Sequence, residues 1–222
     1  THTNIHKDEA AEPDASPRYV ECPELGPPLR PPPSLRTRYL VLLDVSFALS
    51  HLHSRGVLHR DLKTENVLIG SDGRGVIADL GCAQSDHLLE QHESDIVDSG
   101  AKDYVNAAAP EEFKSRHAST RMSDVYCFGT LMYESLALRR PYLGFGEDYE
   151  KVKKAIRSGQ QERIPDDPEC PAEYKQLLSA CWNLTPEDRP AIAQVVTKLQ
   201  GMSPAFNVPL ARVLVPALEE QV

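Results

Sequence analysis

Residues 59–66 read HRDLKTEN and place a carboxylate, Asp61, five positions before an amide, Asn66. A second carboxylate, Asp79, follows Asn66 by 13 residues. Amide and carboxylate oxygens are hard ligands of the kind that Mg²⁺ prefers, and a further carboxylate beside such a metal can accept the proton of a hydroxyl group. This combination suits phosphoryl transfer, in which positioning and neutralisation of charge supply most of the catalysis.

These side chains need rigid elements on both sides. From Leu35 onward the apolar residues form two rows at helical spacing, which predicts a buried helix that ends at Gly56. The rows are Leu42, Val45, Leu49 and Leu52, and Leu40, Leu43 and Phe47. Aliphatic runs at 67–69 and 76–78 flank the turn 70–73 and predict a short β-hairpin. Asn66 then begins one strand and Asp79 follows the other, so the hairpin brings both to one place.

The remainder of the chain predicts further helices at 123–138, 148–158, 172–182 and 190–199. The last of these follows residues 185–188, TPED, which have capping-box spacing. Eight of the 18 prolines lie in residues 1–33, so residues 1–34 are predicted to be a linker, a polyproline ligand or the remnant of a strand and hinge. Residues 203–222 are predicted to be a tail.

The overall composition disfavours several classes of protein. The 222 residues carry a net charge of −9, which disfavours a nucleic-acid partner that would require neutralised phosphates. The five cysteines contain no C-x-x-C pair and indicate neither a zinc site nor a disulfide framework. We therefore expect the chain to be cytoplasmic or to be the cytosolic part of a longer protein. The most apolar helical stretch, 39–49, contains Asp44 and is too short to span a membrane.

Several motifs resemble, in order, the signature of eukaryotic-type protein kinases: residues 59–66, then 79–81 (DLG), then 109–111 (APE). Residues 124–129 (DVYCFG), 181–182 (CW) and 189–190 (RP) are similar to later landmarks of this family, and the CW and RP pairs resemble the tyrosine-kinase-like group. The resemblance covers about residues 35–202 and implies a kinase C-terminal lobe, an α+β fold that is mainly α with a short β-hairpin.

The resemblance also implies roles at the site. Asp61 would accept the proton of the substrate hydroxyl, Lys63 would steady the transferred phosphate, and Asn66 with Asp79 would hold Mg²⁺. The cofactors would be ATP and Mg²⁺, with Lys63, Leu68 and Asp79 facing the nucleotide. The substrate would be a protein, and Lys63 at this position is typical of serine/threonine kinases.

Other positions are structural or regulatory by the same resemblance. His59, Leu80 and Asp124 would be structural, with His59 packed in an internal apolar spine, and Glu111 with Arg189 would form a buried ion pair. The alternative for that pair is two solvated charges. Arg60 would bind a phosphate on the activation segment, carried by Ser94 or Ser99; the alternative is that both serines are ordinary solvated loop residues.

The chain also departs from the family pattern. Leu80 replaces the usual Phe, and residues 103–108 (DYVNAA) lack the usual Gly-Thr. No glycine-rich loop precedes Leu35, and the only lysine before Lys63 is Lys7, so we expect the N-terminal lobe to be missing, the chain to be a fragment and its activity by itself to be low. The alternatives are a catalytically inactive, pseudokinase-like binding module and an unrelated phosphotransferase with a similar site.

Overall fold

The computed structural model describes residues 31–86, 105–113, 119–146 and 148–209. The chain divides into two units, Thr1–Pro32 and Pro33–Val222, and every element below belongs to the second. Its helices are α1 (Leu35–Ser54), α2 (Arg121–Ala137), α3 (Tyr149–Arg157), α4 (Ala172–Cys181) and α5 (Ile192–Met202). Its strands are β1 (Val57–Leu58), β2 (Val67–Ile69), β3 (Gly75–Ile77) and β4 (Gln84–Ser85).

Helix α1 is the buried helix predicted from the two apolar rows. Ser34 caps its first turn by accepting a hydrogen bond from the backbone N–H of Thr37 at 3.2 Å. Val45 and Leu49 are completely buried inside the helix, and Leu43 is nearly so. The chain leaves the helix at Gly56, whose φ of +68° is a conformation that glycine adopts without strain. Both the helix and its end are confirmed.

The predicted hairpin is also present, with its second strand one residue earlier than expected. β2 and β3 pair antiparallel with Leu68 opposite Val76. A Cβ on Gly75 would lie 2.7 Å from the backbone oxygen of Val41, so glycine lets β3 approach α1 this closely. A second strand pair, β1 with β4, was not predicted. It places Val57 opposite Ser85, and the hairpin lies between these two strands along the chain.

The remaining helices match the predicted segments to within three residues at either end. Helix α2 crosses α4 at Gly129, where a Cβ would come within 2.9 Å of both Cys181 and Trp182. Helix α5 starts at Ile192, two residues later than predicted, because Ala191 is still extended (ψ 149°) and forms the N-cap, with its backbone N–H donating to the Gln194 side chain at 2.9 Å. Pro186–Asp188 forms a separate 3₁₀ turn, and Thr185 makes no side-chain capping bond there.

The chain continues to pack after α5. Phe206 is buried and stacks on Tyr39 of α1 with ring centroids 4.0 Å apart. The Tyr39 hydroxyl donates to the backbone oxygen of Leu199 and lies 2.9 Å from the Ser203 hydroxyl. The described part of the chain is thus mainly helical. Most helices surround one large core that the hairpin packs against, and α3 packs in a second, smaller cluster with Val105 and Tyr142. None of its helices combines the length and apolar character that crossing a membrane requires.

Candidate active site

The backbone of the predicted catalytic loop is held by one carboxylate. Asp124, 1% exposed in the first turn of α2, accepts hydrogen bonds from the backbone N–H groups of His59 and Arg60, each at 2.9 Å. His53, at the end of α1, contacts the same carboxylate through Nε2 at 2.9 Å. These bonds hold Arg60 at a φ of 66°, a strained conformation for a residue with a side chain. Helices α1 and α2 therefore fix the start of the loop.

His59 links this loop to the hairpin from a fully buried position. Its Nδ1 lies 3.3 Å from the backbone N–H of Asp61, and its Nε2 lies 3.3 Å from the backbone oxygen of Ala78. An N–H group donates and a carbonyl oxygen accepts, so the proton of the neutral ring sits on Nε2. The imidazole thereby fixes the backbone of Asp61 relative to the end of β3.

The structure brings together the three residues predicted to be catalytic. Lys63 Nζ lies 2.7 Å from Asp61 Oδ2. The Asn66 amide nitrogen donates to the Asp61 backbone oxygen at 2.7 Å and to Asp61 Oδ2 at 3.0 Å. Both amide hydrogens therefore point at Asp61, which leaves the oxygen of the nearly buried Asn66 side chain directed away from it. The side chains of Asp61 and Lys63 remain 24% and 16% exposed, so a substrate can reach them.

The hairpin brings Asp79 to the same place. The backbone N–H of Ala78 donates to the backbone oxygen of Asn66 at 2.8 Å, so Asp79 directly follows the residue that pairs with Asn66. Asp79 is exposed, has a φ of 58° and accepts a hydrogen bond from the Gly81 N–H at 3.2 Å. An amide oxygen and a carboxylate fit Mg²⁺, which takes its remaining ligands from phosphates and water. No group of three His, Cys, Asp or Glu that could hold a metal occurs among the described residues, so this site would need phosphate oxygens.

Apolar side chains flank these polar groups. Leu68, predicted to face the nucleotide, is 54% exposed in β2, and Leu80 is 52% exposed just after Asp79. Ile69 and Val76 of the same hairpin are also largely exposed. The hairpin thus presents apolar surface next to Asn66 and Asp79.

The other side of the loop is held by contacts that the sequence did not predict. The Thr64 hydroxyl donates to the Glu134 carboxylate of α2, and Glu65 pairs with Arg140. Burial raises the pKa of Glu134, and the nearby charge of Glu65 acts in the same direction. These contacts fix the short 3₁₀ turn Thr64–Asn66, which carries the predicted ligand Asn66.

Arg60 has a protein partner in the structure. Its guanidinium donates to the side-chain oxygen of Gln84 in β4. Ser94 and Ser99, the predicted phosphate carriers, lie outside the described residues. The proposed phosphate switch stays a prediction.

Glu111 and Arg189 form the buried ion pair that the sequence predicted. The guanidinium binds both carboxylate oxygens at 2.7 and 2.8 Å, and Arg189 is only 4% exposed. The guanidinium also donates to the backbone oxygens of Met122 and Asn183 and lies 5.0 Å from the centre of the Tyr126 ring. Burial alone would raise the pKa of Glu111, but the hydrogen bonds and charge of Arg189 outweigh it, so that pKa lies below its ordinary value of 4.5.

Sequence reasoning missed His53, Gln84 and Glu134 as parts of the site. His53 gave a weak signal, because it lies four residues after Leu49 on a buried face of α1, where a histidine needs a polar partner. Gln84 and Glu134 gave no signal in the sequence, because their partners Arg60 and Thr64 lie 24 and 70 residues away along the chain.

Several known proteins are similar to this chain in sequence. The sequence model of the protein tyrosine and serine/threonine kinase family matches residues 18–199. A probable LIM domain-containing serine/threonine-protein kinase of Dictyostelium discoideum is 32% identical over 78% of the chain, which is 25% of that protein. Human receptor-interacting serine/threonine-protein kinase 1 is 33% identical over 72% of the chain and 25% of its own length. Mouse tyrosine-protein kinase Srms is 35% identical over 75% of the chain and 32% of its own length. The chain thus spans a quarter to a third of these relatives.

The buried ion pair yields a stability prediction. Glu111→Ala or Arg189→Ala should each lower the free energy of unfolding by about 3–5 kcal/mol, because each leaves its partner buried without a counter-charge. Urea denaturation followed by circular dichroism measures this. The matched control is Lys153→Ala, which removes an exposed pair with Glu150 at 2.8 Å and should change stability by less than about 1 kcal/mol. Equal stabilities for all these variants and the unaltered protein would contradict the prediction.

The lowered pKa of Glu111 predicts a specific pH dependence. Its ionised form stabilises the fold above pH 4.5, and this contribution is lost as the pH falls through the lowered pKa. The stability difference between the unaltered protein and Glu111→Gln should therefore be constant near neutrality and shrink in acid. Burial raises the pKa of Glu112, so Glu112 changes the stability with pH in the opposite direction. Because Glu112 is present in both proteins, its effect largely cancels in the difference between them. A difference that stayed constant from pH 7 to about pH 3 would refute the assignment.

Proposed function

The chain belongs to the protein tyrosine and serine/threonine kinase family, and we propose that it is the catalytic C-terminal lobe of a kinase that transfers the γ-phosphate of ATP to serine and threonine hydroxyl groups of proteins. The observation that carries this proposal is the contact set of Asp61, which binds Asn66 and Lys63 while the hairpin brings Asp79 alongside. All four polar groups that the chemistry requires from this lobe are present together.

Asp61 orients the acceptor. Its partly exposed carboxylate can accept a hydrogen bond from a substrate hydroxyl and take its proton as the oxygen attacks phosphorus. Asn66 fixes the carboxylate through Oδ2, and His59 fixes the backbone of the same residue. Such preorganisation limits the reorganisation needed at the moment of transfer.

Lys63 and the hairpin residues handle charge. Lys63 already lies 2.7 Å from Asp61, so its ammonium group can also reach a phosphate placed against that carboxylate. Asn66 and Asp79 would hold Mg²⁺, which neutralises negative charge on the phosphates of bound ATP. The exposed side chain of Leu68 offers an apolar surface for the nucleotide base.

Serine and threonine are the proposed acceptors because of Lys63. A lysine two positions after the catalytic aspartate is typical of serine/threonine kinases in the family, and serine/threonine-protein kinases are among the similar proteins. A tyrosine kinase is also similar, so acceptor type is part of the test below.

A second candidate is a pseudokinase-like module that binds partners without turnover. One observation favours it: the sequence before Leu35 contains no glycine-rich loop and only one lysine, Lys7. The chain by itself therefore offers ATP neither the backbone cover nor the orienting lysine that kinases of this family carry in their N-terminal lobe. The retained contacts among Asp61, Lys63 and Asn66 favour catalysis instead, since a binding module needs none of them.

The metal assignment predicts weak binding that depends on Asp79. Mn²⁺, a spectroscopic substitute for Mg²⁺, should bind the unaltered chain weakly, because phosphate ligands are absent. Asp79→Asn should weaken that binding by about tenfold or more, since even outer partners of metal ligands contribute about 10–100-fold. Electron paramagnetic resonance titration measures the free ion. The control Asp166→Asn, at a carboxylate 88% exposed and paired with Lys175, should bind like the unaltered protein.

The chain by itself should transfer phosphate far below the typical rates of about 1–100 s⁻¹. ATP that is poorly held is also poorly oriented, and correct orientation of the reactants can lower the activation barrier by roughly 7–11 kcal/mol. The assay uses radiolabelled ATP, Mg²⁺ and a peptide library with Ser, Thr and Tyr acceptors, with Asp61→Asn as the blank and Asp166→Asn as the matched control.

Slow transfer to serine and threonine that disappears only in Asp61→Asn would support the proposal. Transfer of labelled phosphate that persists in Asp61→Asn, or that occurs only on tyrosine, would contradict the proposal. Magnesium-dependent nucleotide binding without any transfer would favour the binding module. Turnover within the typical range would show that residues 1–34 supply what the other lobe normally provides.

A further inference from the structure

Asp44 is a buried acid in the middle of α1, with its side chain only 8% exposed. Burying a carboxylate is costly unless hydrogen bonds replace its water. Here Oδ1 accepts from Arg74 Nη1 and Oδ2 accepts from the backbone N–H of Gly75, each at 3.1 Å. Both donors belong to the hairpin, so the Asp44 carboxylate connects α1 to the start of β3.

A second, independent feature fits the hairpin to α1 at the same point. A side chain on Gly75 would collide with the backbone oxygen of Val41, one helical turn before Asp44. The strand is thus in direct backbone contact with the helix. Elsewhere in the hairpin, Leu68, Ile69 and Val76 are 48–61% exposed, so contact with α1 provides much of its support.

From this anchor β3 leads directly to the candidate metal site. Gly75 and Asp79 are four residues apart, roughly 13 Å along an extended strand, so Asp44 does not touch the metal. Between them, Ala78 donates to the backbone oxygen of Asn66 and accepts from His59 Nε2. The far end of β3 therefore depends on the loop, and its near end depends on Asp44.

We propose that Asp44 is a positioning residue for the metal and nucleotide site: by fixing β3 to α1, it sets where Asp79 lies relative to Asn66. This inference rests on the proposed function, because it takes Asn66 and Asp79 as metal ligands. Without the carboxylate, Gly75 and Arg74 lose their acceptor at the helix, and β3 can shift away from α1. The two ligands would then be misplaced even though neither is altered.

The test is a titration of Mn²⁺ alone into the whole chain, followed by electron paramagnetic resonance. Asp44→Ala should weaken Mn²⁺ binding by about tenfold, the lower end of the effect of losing an outer partner of a metal ligand. Asp44→Asn keeps a neutral acceptor for the Gly75 N–H, so its Mn²⁺ affinity should lie between those of Asp44→Ala and the unaltered protein. The matched control is Val195→Ala, a change at a completely buried position of α5 that lowers stability away from the hairpin and should leave Mn²⁺ affinity unchanged.

Amide hydrogen exchange gives a readout that does not depend on metal. Exchange at Ala78 should accelerate in Asp44→Ala relative to Val195→Ala, because its bond to Asn66 is broken more often when β3 is unanchored. If Asp44→Ala does not fold, Asp44→Asn and Arg74→Ala replace it in both measurements.

The outcomes separate the two proposals. If Asp79→Asn loses Mn²⁺ binding but the Asp44 variants keep normal affinity and normal Ala78 exchange, the positioning role is wrong and the proposed function stands. An equal loss of affinity in Val195→Ala would also overturn it, since the effect would be general destabilisation. If Asp79→Asn binds Mn²⁺ as tightly as the unaltered protein, the metal assignment fails and the role of Asp44 fails with it.

Discussion

The catalytic loop depends on the single carboxylate of Asp124. This side chain accepts two backbone N–H bonds, from His59 and Arg60, and contacts His53 as well. A buried carboxylate needs such partners, and backbone N–H groups in a loop need acceptors, so each satisfies the other. Because Asp124 lies on α2 and His53 on α1, the loop is fixed by the packing of two core helices. The strained backbone of Arg60 persists because the structure around it leaves no alternative.

Three carboxylates with little or no exposure hold the parts of the site together. Asp124 fixes the start of the loop, Asp44 joins the hairpin to α1, and Glu111, in its pair with Arg189, ties the APE motif to the turn before α5. Each accepts hydrogen bonds from backbone N–H groups or from a guanidinium in a distant part of the chain; Asp124 also contacts His53, and Glu111 also accepts from the Ser123 hydroxyl at 2.8 Å. This arrangement contributes less to net stability than apolar packing would, but it allows only one placement of the elements it joins. Accurate placement is what phosphoryl transfer requires of the protein.

The site is polar at its centre and apolar at its edge. Asp61, Lys63 and Asn66 contact one another, while Leu68 and Leu80 are more than half exposed nearby. An apolar edge beside a group of charges suits a ligand that has a flat base at one end and phosphates at the other.

The sequence by itself determined the local elements and predicted which polar residues come together. Helical spacing predicted α1, aliphatic runs around a turn predicted the hairpin, and the spacing of Asp61, Asn66 and Asp79 predicted one shared site, because these features involve neighbours along the chain or a single hairpin. Only the tertiary structure decided how the loop is held, through His53 with Asp124, Arg60 with Gln84 and Thr64 with Glu134. It also decided that Phe206 packs against Tyr39. These partners lie from 24 to 167 residues apart, and a polar or aromatic side chain at such a distance has many possible partners until the helices pack. Packing brings one partner within hydrogen-bond or contact distance, and that choice is set by the whole core and not by any local pattern.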